Sequence, residues 1–270
     1  MIDLLSQPAF ASVVVFIFGA MIGSFLNVCI VRLPQKESLV LPASHCPDCK
    51  TPIPFYSNIP LLSYLFLRAH CRFCGVLISP RYFIVELLMA VLAVGLFQRF
   101  GLGLVFFVDF LFVGALIVIT FIDLDVRIVP DVISLPGIVV GLLFSVVNRQ
   151  ILADHLSALP SPMSSLLGIV IGGGSLLLVA WVYQLLTGRE GMGGGDIKLL
   201  AMIGAFLGWP SVPVTLFSAS LTGSLVGILL MVRKGVDGQY ALPFAPFLCL
   251  GALFALFFGD WLVAFYMPLG

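Results

Sequence analysis

Charge is what this chain has least of. Asp, Glu, Lys and Arg make up 10% of its 270 residues, against about a quarter in an ordinary soluble domain. That scarcity excludes a water-soluble globular enzyme. The 13 basic and 13 acidic residues cancel, so no bulk field favours nucleic acid. Histidine is scarce too. His45, His70 and His155 are the only three, and none sits near a helix-borne Ser or Cys in a triad-like arrangement, which disfavours a Ser or Cys hydrolase. No G-x-x-x-x-G-K-[ST] frame marks a phosphate loop, and no dinucleotide-type glycine fingerprint is present. The start of the chain does not read as a cleaved signal. Asp3 is acidic, no basic stretch precedes the first apolar run, and that run is too long for a signal core.

What fills the chain instead is apolar: 61% hydrophobic residues and a mean hydropathy of +1.19. The runs are long rather than alternating, which predicts an all-α polytopic membrane protein and not a β-barrel. About eight spans follow: Phe10–Val31, Phe83–Phe97, Leu102–Ile122, Val132–Val147, Leu166–Leu186, Ile197–Leu207, Val214–Val232 and Pro243–Phe265. The sixth is short for a crossing of about 20 residues, so it needs a thin membrane or shielding by neighbouring protein. The expected organisation is a first transmembrane helix (1–31), a polar loop domain (32–82) and a transmembrane core (83–270). Lys and Arg divide 11 against 2 between the two sets of connections. By the positive-inside rule the 32–82 loop is cytoplasmic and both chain ends lie on the other side. Asp123 and Asp196 then fall at the same, cytoplasmic, end of their helices.

The polar loop carries Cys46-Pro47-Asp48-Cys49 and Cys71-Arg72-Phe73-Cys74, a C-x2-C-x21-C-x2-C pattern. Each CxxC turn can present two thiolates to one metal, and two turns complete a tetrahedral four-cysteine zinc site. A disulfide pair is the plainer alternative, disfavoured in a reducing cytoplasm. A closed shell of four thiolates leaves no open position, so the zinc should be structural. The loop has too little apolar core to fold alone, and a metal would supply what is missing. His45 and His70 each precede a ligand cysteine and are expected to face solvent. Cys29 and Cys249 lie in apolar runs and read as buried small hydrophobes.

The acids separate by position. Asp3, Glu37, Asp48, Asp154, Glu190 and Asp237 fall in loops or ends, and Asp260 reaches the interface at the far end of the last span. Asp109, in the outer part of the third span, can pair with a polar group across the bundle. Glu86 lies near Arg81, which suggests an interfacial ion pair. The run Asp123-Leu124-Asp125-Val126-Arg127-Ile128-Val129-Pro130-Asp131 is different. Asp131 can N-cap the fourth span, and Asp125 can pair with Arg127. Asp123 is deepest and stands at a helix C-terminus, the unfavourable end for a carboxylate. The second feature is Gly191-Met192-Gly193-Gly194-Gly195-Asp196-Ile197-Lys198. A flexible joint with an N-capping Asp would explain it structurally. Its glycines would also let backbone, or an extended substrate, approach closely.

An acid inside a membrane is a functional-site candidate. Two carboxylates held close cannot both ionise easily and divide one proton. The ionised one can take a proton from water while the protonated one polarises a scissile carbonyl. Asp123 and Asp196 are the candidates, with Asp125 in reserve. A proton or cation transporter is the competing class, since short, Gly-interrupted spans occur there. The acids here cluster at one face and no acid chain crosses the bilayer. A membrane-anchored zinc-ribbon docking module is a third class.

The motifs in order resemble the bacterial type IV prepilin peptidases, the leader peptidases of type IV pili and type II secretion. The resemblance spans nearly the whole chain: Gly23-Ser24-Phe25-Leu26-Asn27-Val28 with Arg32-Leu33-Pro34, the double CxxC, Asn58-Ile59-Pro60-Leu61-Leu62-Ser63-Tyr64, and Ser79-Pro80-Arg81-Tyr82 with Glu86. It continues through Ile122-Asp123 to Pro130-Asp131, Gly188 to Lys198, and Pro243-Phe244-Ala245-Pro246-Phe247. It implies an inner-membrane GxGD aspartyl protease that cuts the leader from prepilins and pseudopilins at the cytoplasmic face. It implies Asp123 and Asp196 as the catalytic pair and Cys46, Cys49, Cys71 and Cys74 as zinc ligands. Members with the cysteine-rich loop also methylate the new N-terminal amine with S-adenosylmethionine. Two positions depart from the family pattern. Ala69 stands where a glycine is common before the third cysteine, and Ala245 stands in the segment usually written Pro-Phe-Gly-Pro.

Overall fold

The computed structural model describes residues 8–41, 43–46, 48–54, 57–151, 160–188, 192–234 and 242–266. Asp3, Pro47, Asp154, His155, Arg189, Glu190, Gly191 and Asp237 lie outside the described residues, as does the side chain of Asp260. Among the described residues the chain forms nine α-helices: α1 (Pro8–Gln35), α2 (Leu62–Phe66), α3 (Pro80–Phe100), α4 (Leu104–Val126), α5 (Asp131–Ile151), α6 (Pro162–Thr187), α7 (Gly194–Leu207), α8 (Ser211–Lys234) and α9 (Ala245–Tyr266). All but the one-turn α2 coincide with a predicted span.

Five of them, α1, α3, α4, α6 and α8, are long and apolar enough to cross a membrane. The apolar stretches of α5 and α9 are shorter, and α7 has only 14 residues. The helix ends follow local chemistry. Ser79 caps α3 by accepting from the Arg81 N–H, with Pro80 in the first turn. Ser161 does the same for α6 through the Ser164 N–H at 3.2 Å. Gly188, at φ 68°, closes α6 in the left-handed conformation.

The chain divides into two compact units, Met1–Val118 and Ile119–Gly270. In the first, α1 and α3 pack closely where Gly23 crosses Glu86. A Cβ on Gly23 would lie 2.7 Å from the Glu86 Cα. This crossing corrects the expectation for Glu86. The residue is buried, and its Oε2 accepts the Leu61 N–H at 2.7 Å, with Ser24 bonded to the same carboxylate. A buried carboxylate needs such donors. These donors come from segments distant in sequence, beyond the nearby Arg81 that the sequence pointed to. Asp109 is 2% exposed and lies within the field of Arg99.

In the second unit α7 is the central element. Its residues Leu199–Phe206 are all buried, shielded by α5 and α6. The α6–α7 crossing depends on Gly168 and Gly204. A Cβ on either would collide with the backbone of the other. Small residues let two backbones meet in this way inside a membrane. The helix at the short sixth predicted span is therefore enclosed by protein, one of the two conditions its length demanded.

Candidate active site and metal centre

In the first unit the loop between α1 and α3 folds back on itself as two equivalent knuckles. The Cys46 N–H bonds to the Thr51 carbonyl at 3.1 Å, and the Cys71 N–H to the Val76 carbonyl at 2.8 Å. The Cys46 carbonyl accepts from Lys50 at 3.0 Å, and the Cys71 carbonyl from Gly75 at 2.9 Å. Each knuckle closes with one antiparallel bridge, His45 to Pro52 and His70 to Leu77. The chain turns through positive φ at the residue after the second cysteine, 56° at Lys50 and 72° at Gly75.

The four Sγ atoms of Cys46, Cys49, Cys71 and Cys74 lie within 4.8 Å of one another. Cys46 Sγ and Cys74 Sγ are 3.8 Å apart, too far for a disulfide at about 2.05 Å. A tetrahedron with metal–sulfur bonds of about 2.3 Å has edges of about 3.8 Å, so this set can hold a metal ion. The surroundings pull the thiol acidities apart: burial and the neighbouring cysteines push Cys74 up to about 12, while local hydrogen bonds lower two others. Hydrogen bonds from the Thr51 side chain and backbone draw the Cys49 thiol down to about 6, and the Cys74 and Phe73 N–H groups lower Cys71. His45 bonds through Nδ1 to the Ala43 carbonyl at 3.1 Å and His70 to the Arg68 carbonyl, and the converging donor set is the four cysteines. Ala69, the departure noted above, has φ 61°. That left-handed conformation is natural to glycine and costs an L-residue about 1–2 kcal/mol.

In the second unit Asp123 sits in the last turn of α4 and Asp196 in the first turn of α7. Both line one cavity of about 410 Å³, with Arg127, Ile128, Val129, Pro130 and Asp131 along the α4–α5 joint. Arg127, at φ 56°, ends α4 with its N–H on the Asp123 carbonyl at 2.9 Å, and turns the chain across the cavity.

Asp123 is 6% exposed. Its carboxylate accepts the backbone N–H of Ala245 and lies near Arg127. Its Oδ2 is buried with no hydrogen-bond partner among the described residues. Asp196 is half-buried and within the electrostatic reach of Asp123. Gly195 makes the approach possible. A Cβ there would stand 2.8 Å from Val129 Cβ. Lys198, two residues along, bonds Asp131 at 2.7 Å, so α7 is tied to the start of α5. Asp131 is the first residue of α5 and uses its side chain on Lys198, where the sequence suggested a cap. Asp125 is exposed and does not line the cavity.

Sequence reasoning missed the third contributor. Ala245 opens α9, and its N–H is one of the unpaired donors at a helix start. A carboxylate there is favourably placed. Pro243-Phe244-Ala245-Pro246 marked that helix start, but nothing in the spacing linked it to Asp123. One turn on, buried Cys249 bonds Thr120 and lies in the field of both aspartates. Cys29 is buried as well.

The arrangement matches known proteins along its length. Residues 17–100 match the Bacterial Peptidase A24 N-terminal domain, and residues 110–228 match the Type IV leader peptidase family. A protein of Aeromonas hydrophila called prepilin leader peptidase/N-methyltransferase is 38% identical, over 94% of this chain and 92% of its own length. Proteins of the same name from Pseudomonas putida (37% identical, 97% and 96% covered) and Pseudomonas aeruginosa (34% identical, 98% and 96% covered) agree. No solved structure matches the chain significantly. Two family profiles in order and full-length relatives place this chain in the type IV leader peptidase family.

Proposed function

We propose that this chain is a membrane endopeptidase that removes the leader from type IV prepilins or pseudopilins and then N-methylates the new N-terminus with S-adenosylmethionine. The family membership and the shared name of its relatives support both activities. The observation that carries the catalytic assignment is the shared cavity, with Asp123 and Asp196 on its wall and a buried Asp123 oxygen that has no donor among the described residues.

Two carboxylates this close hold one proton between them. The ionised member takes a proton from a water molecule, which attacks the scissile carbonyl. The protonated member donates to that carbonyl oxygen as negative charge builds on it. The proton then passes to the leaving amine and the pair is restored. The Ala245 N–H and Arg127 steady the charge on Asp123, and Gly195 lets Asp196 stand opposite.

The four-cysteine set fits zinc by its sulfur donors and spacing. With all four positions protein-filled, zinc would staple the 32–82 loop and take no part in hydrolysis. The excess of Lys and Arg on one side supports a bacterial inner-membrane protein with that loop in the cytoplasm. In this topology α5, α7 and α9 complete the eight crossings, shielded in part by their neighbours.

The test is Asp123→Asn and Asp196→Asn, each assayed with a prepilin in a bilayer. Both should lose cleavage while inserting normally, and full cleavage by either would remove that residue from the mechanism. Mass spectrometry of the wild-type product should show one added methyl that depends on S-adenosylmethionine. Cleaved but unmethylated pilin would leave a peptidase alone.

A further inference from the structure

Neither hydrolysis nor a structural metal accounts for the short helix α2 in the polar loop. It turns three large apolar side chains outward at the i, i+3, i+4 spacing of one helix face. Leu62 and Leu65 are exposed, and Phe66 is 82% exposed. The opposite side of α2 is fixed to α3. The Tyr64 ring packs on Phe83 with centroids 5.4 Å apart, and its hydroxyl donates to the Ile78 carbonyl at 3.4 Å. Just before the helix, the Leu61 N–H bonds Glu86 Oε2 at 2.7 Å. α2 is therefore held against the start of α3, level with Phe83 to Glu86.

That level decides what surrounds α2. The 21 residues of α3 rise about 31 Å, close to the hydrocarbon thickness of about 30 Å. A spanning helix with no length to spare begins at the hydrocarbon boundary. Glu86 stands six residues beyond Pro80, about 9 Å along the axis at 1.5 Å per residue. The exposed apolar residues of α3, Ile84, Leu87 and Leu88, start at the same depth. We propose that α2 is a lipid-embedded anchor, with Leu62, Leu65 and Phe66 among the acyl chains and Arg68 at the headgroup phosphates. The backbone meets the condition that lipid imposes, pairing within the protein. The N–H groups of Ser63, Leu65, Leu67, Arg68 and Ala69 all find carbonyls of the same segment, and buried Glu86 supplies the acceptor for Leu61. Arg68 is exposed and lies two residues past Phe66, where an interfacial helix carries its cation and anionic lipid attracts it. The Ile78 N–H bonds the Ala69 carbonyl, so the second cysteine knuckle hangs directly from this anchor. The cytoplasmic leaflet follows from the orientation proposed above, while the contact with lipid does not depend on it.

The test uses the full chain in nanodiscs of phosphatidylethanolamine and phosphatidylglycerol. It depends on no catalysis, so its outcome is independent of the peptidase reading. Phe66→Trp adds one fluorophore to the three native tryptophans and is a conservative change at an exposed position. The added emission should be quenched by lipids brominated on their acyl chains and spared by aqueous iodide. Quenching by iodide and not by brominated lipid would overturn the proposal. Replacing Phe66 by photoreactive benzoylphenylalanine should give an adduct heavier by one phospholipid. A crosslink to a second copy of the chain, or to a prepilin when one is supplied, in place of lipid would give this face to a protein partner and overturn the proposal as well. Arg68→Gln should lower the phosphatidylglycerol share of the adducts roughly fivefold, the scale of one cation at an anionic surface. An unchanged share would refute the headgroup contact of Arg68.

Discussion

Replacing Gly195 with alanine tests the site through one contact. The added Cβ would lie 2.8 Å from Val129 Cβ and 3.2 Å from Val129 Cγ2. Carbon atoms rest at about 3.5–4.0 Å, so the glycine string and the α4–α5 joint must part by roughly 0.7–1.2 Å. Gly195 directly precedes Asp196, and the carboxylate moves with it. A displacement of about 1 Å in a catalytic group costs on the order of a hundredfold in rate, or about 2.7 kcal/mol at 1.36 kcal/mol per decade. The expected result is a hundredfold lower kcat on a prepilin with little change in KM. Overpacking should cost about 1–3 kcal/mol of stability, so folded fraction must be measured alongside. Val129→Gly removes both colliding atoms and should restore most of the lost rate in the double variant, a coupling that distant sites would not show. Cleavage by Gly195→Ala within twofold of wild type, or no recovery in the double variant, would refute the claim that this approach sets Asp196.

Two further outcomes follow from the polar loop. Purified protein should carry one zinc per chain by elemental analysis, and a Cys71→Ser, Cys74→Ser variant should carry none and lose the protease resistance of its 32–82 loop. Ala69→Gly should raise the temperature at which zinc is released. Relief of the left-handed alanine contributes about 1–2 kcal/mol, and the more flexible unfolded chain takes back about 0.4–1 kcal/mol. A lower release temperature would mean that the backbone there is not strained.

The helices were legible because lipid-length apolar runs leave few alternatives. α1 outruns its predicted Phe10–Val31 by a turn at its polar end, since hydropathy stops where Arg32 begins while backbone hydrogen bonding continues to Gln35. The aspartate pair and the cysteine set were legible because each is written in a short local motif. What sequence could not show were contacts between distant segments. Ala245 meets Asp123 across more than a hundred residues, and Leu61 meets Glu86 through its backbone, which has no residue-type signature. The nearness of Arg81 suggested a local ion pair for Glu86, and nothing in the spacing foretold that the Gly23 crossing brings Ser24 to that carboxylate. The left-handed backbone at Ala69 was invisible for the same reason, because alanine does not announce it.

Enclosure of α7 bears on how the protein is made. Fourteen residues rise about 21 Å, short of a hydrocarbon layer of about 30 Å. Such a segment has no strong tendency to enter lipid unaided, and its slot exists only once α5 and α6 are in place. Biogenesis therefore has an order: α5 and α6 insert first, and α7 follows into the slot they form. A nascent chain stalled before α7 should leave this slot empty, so the aspartate cavity, lined by the α4–α5 joint and the start of α7, should close only once α7 has joined.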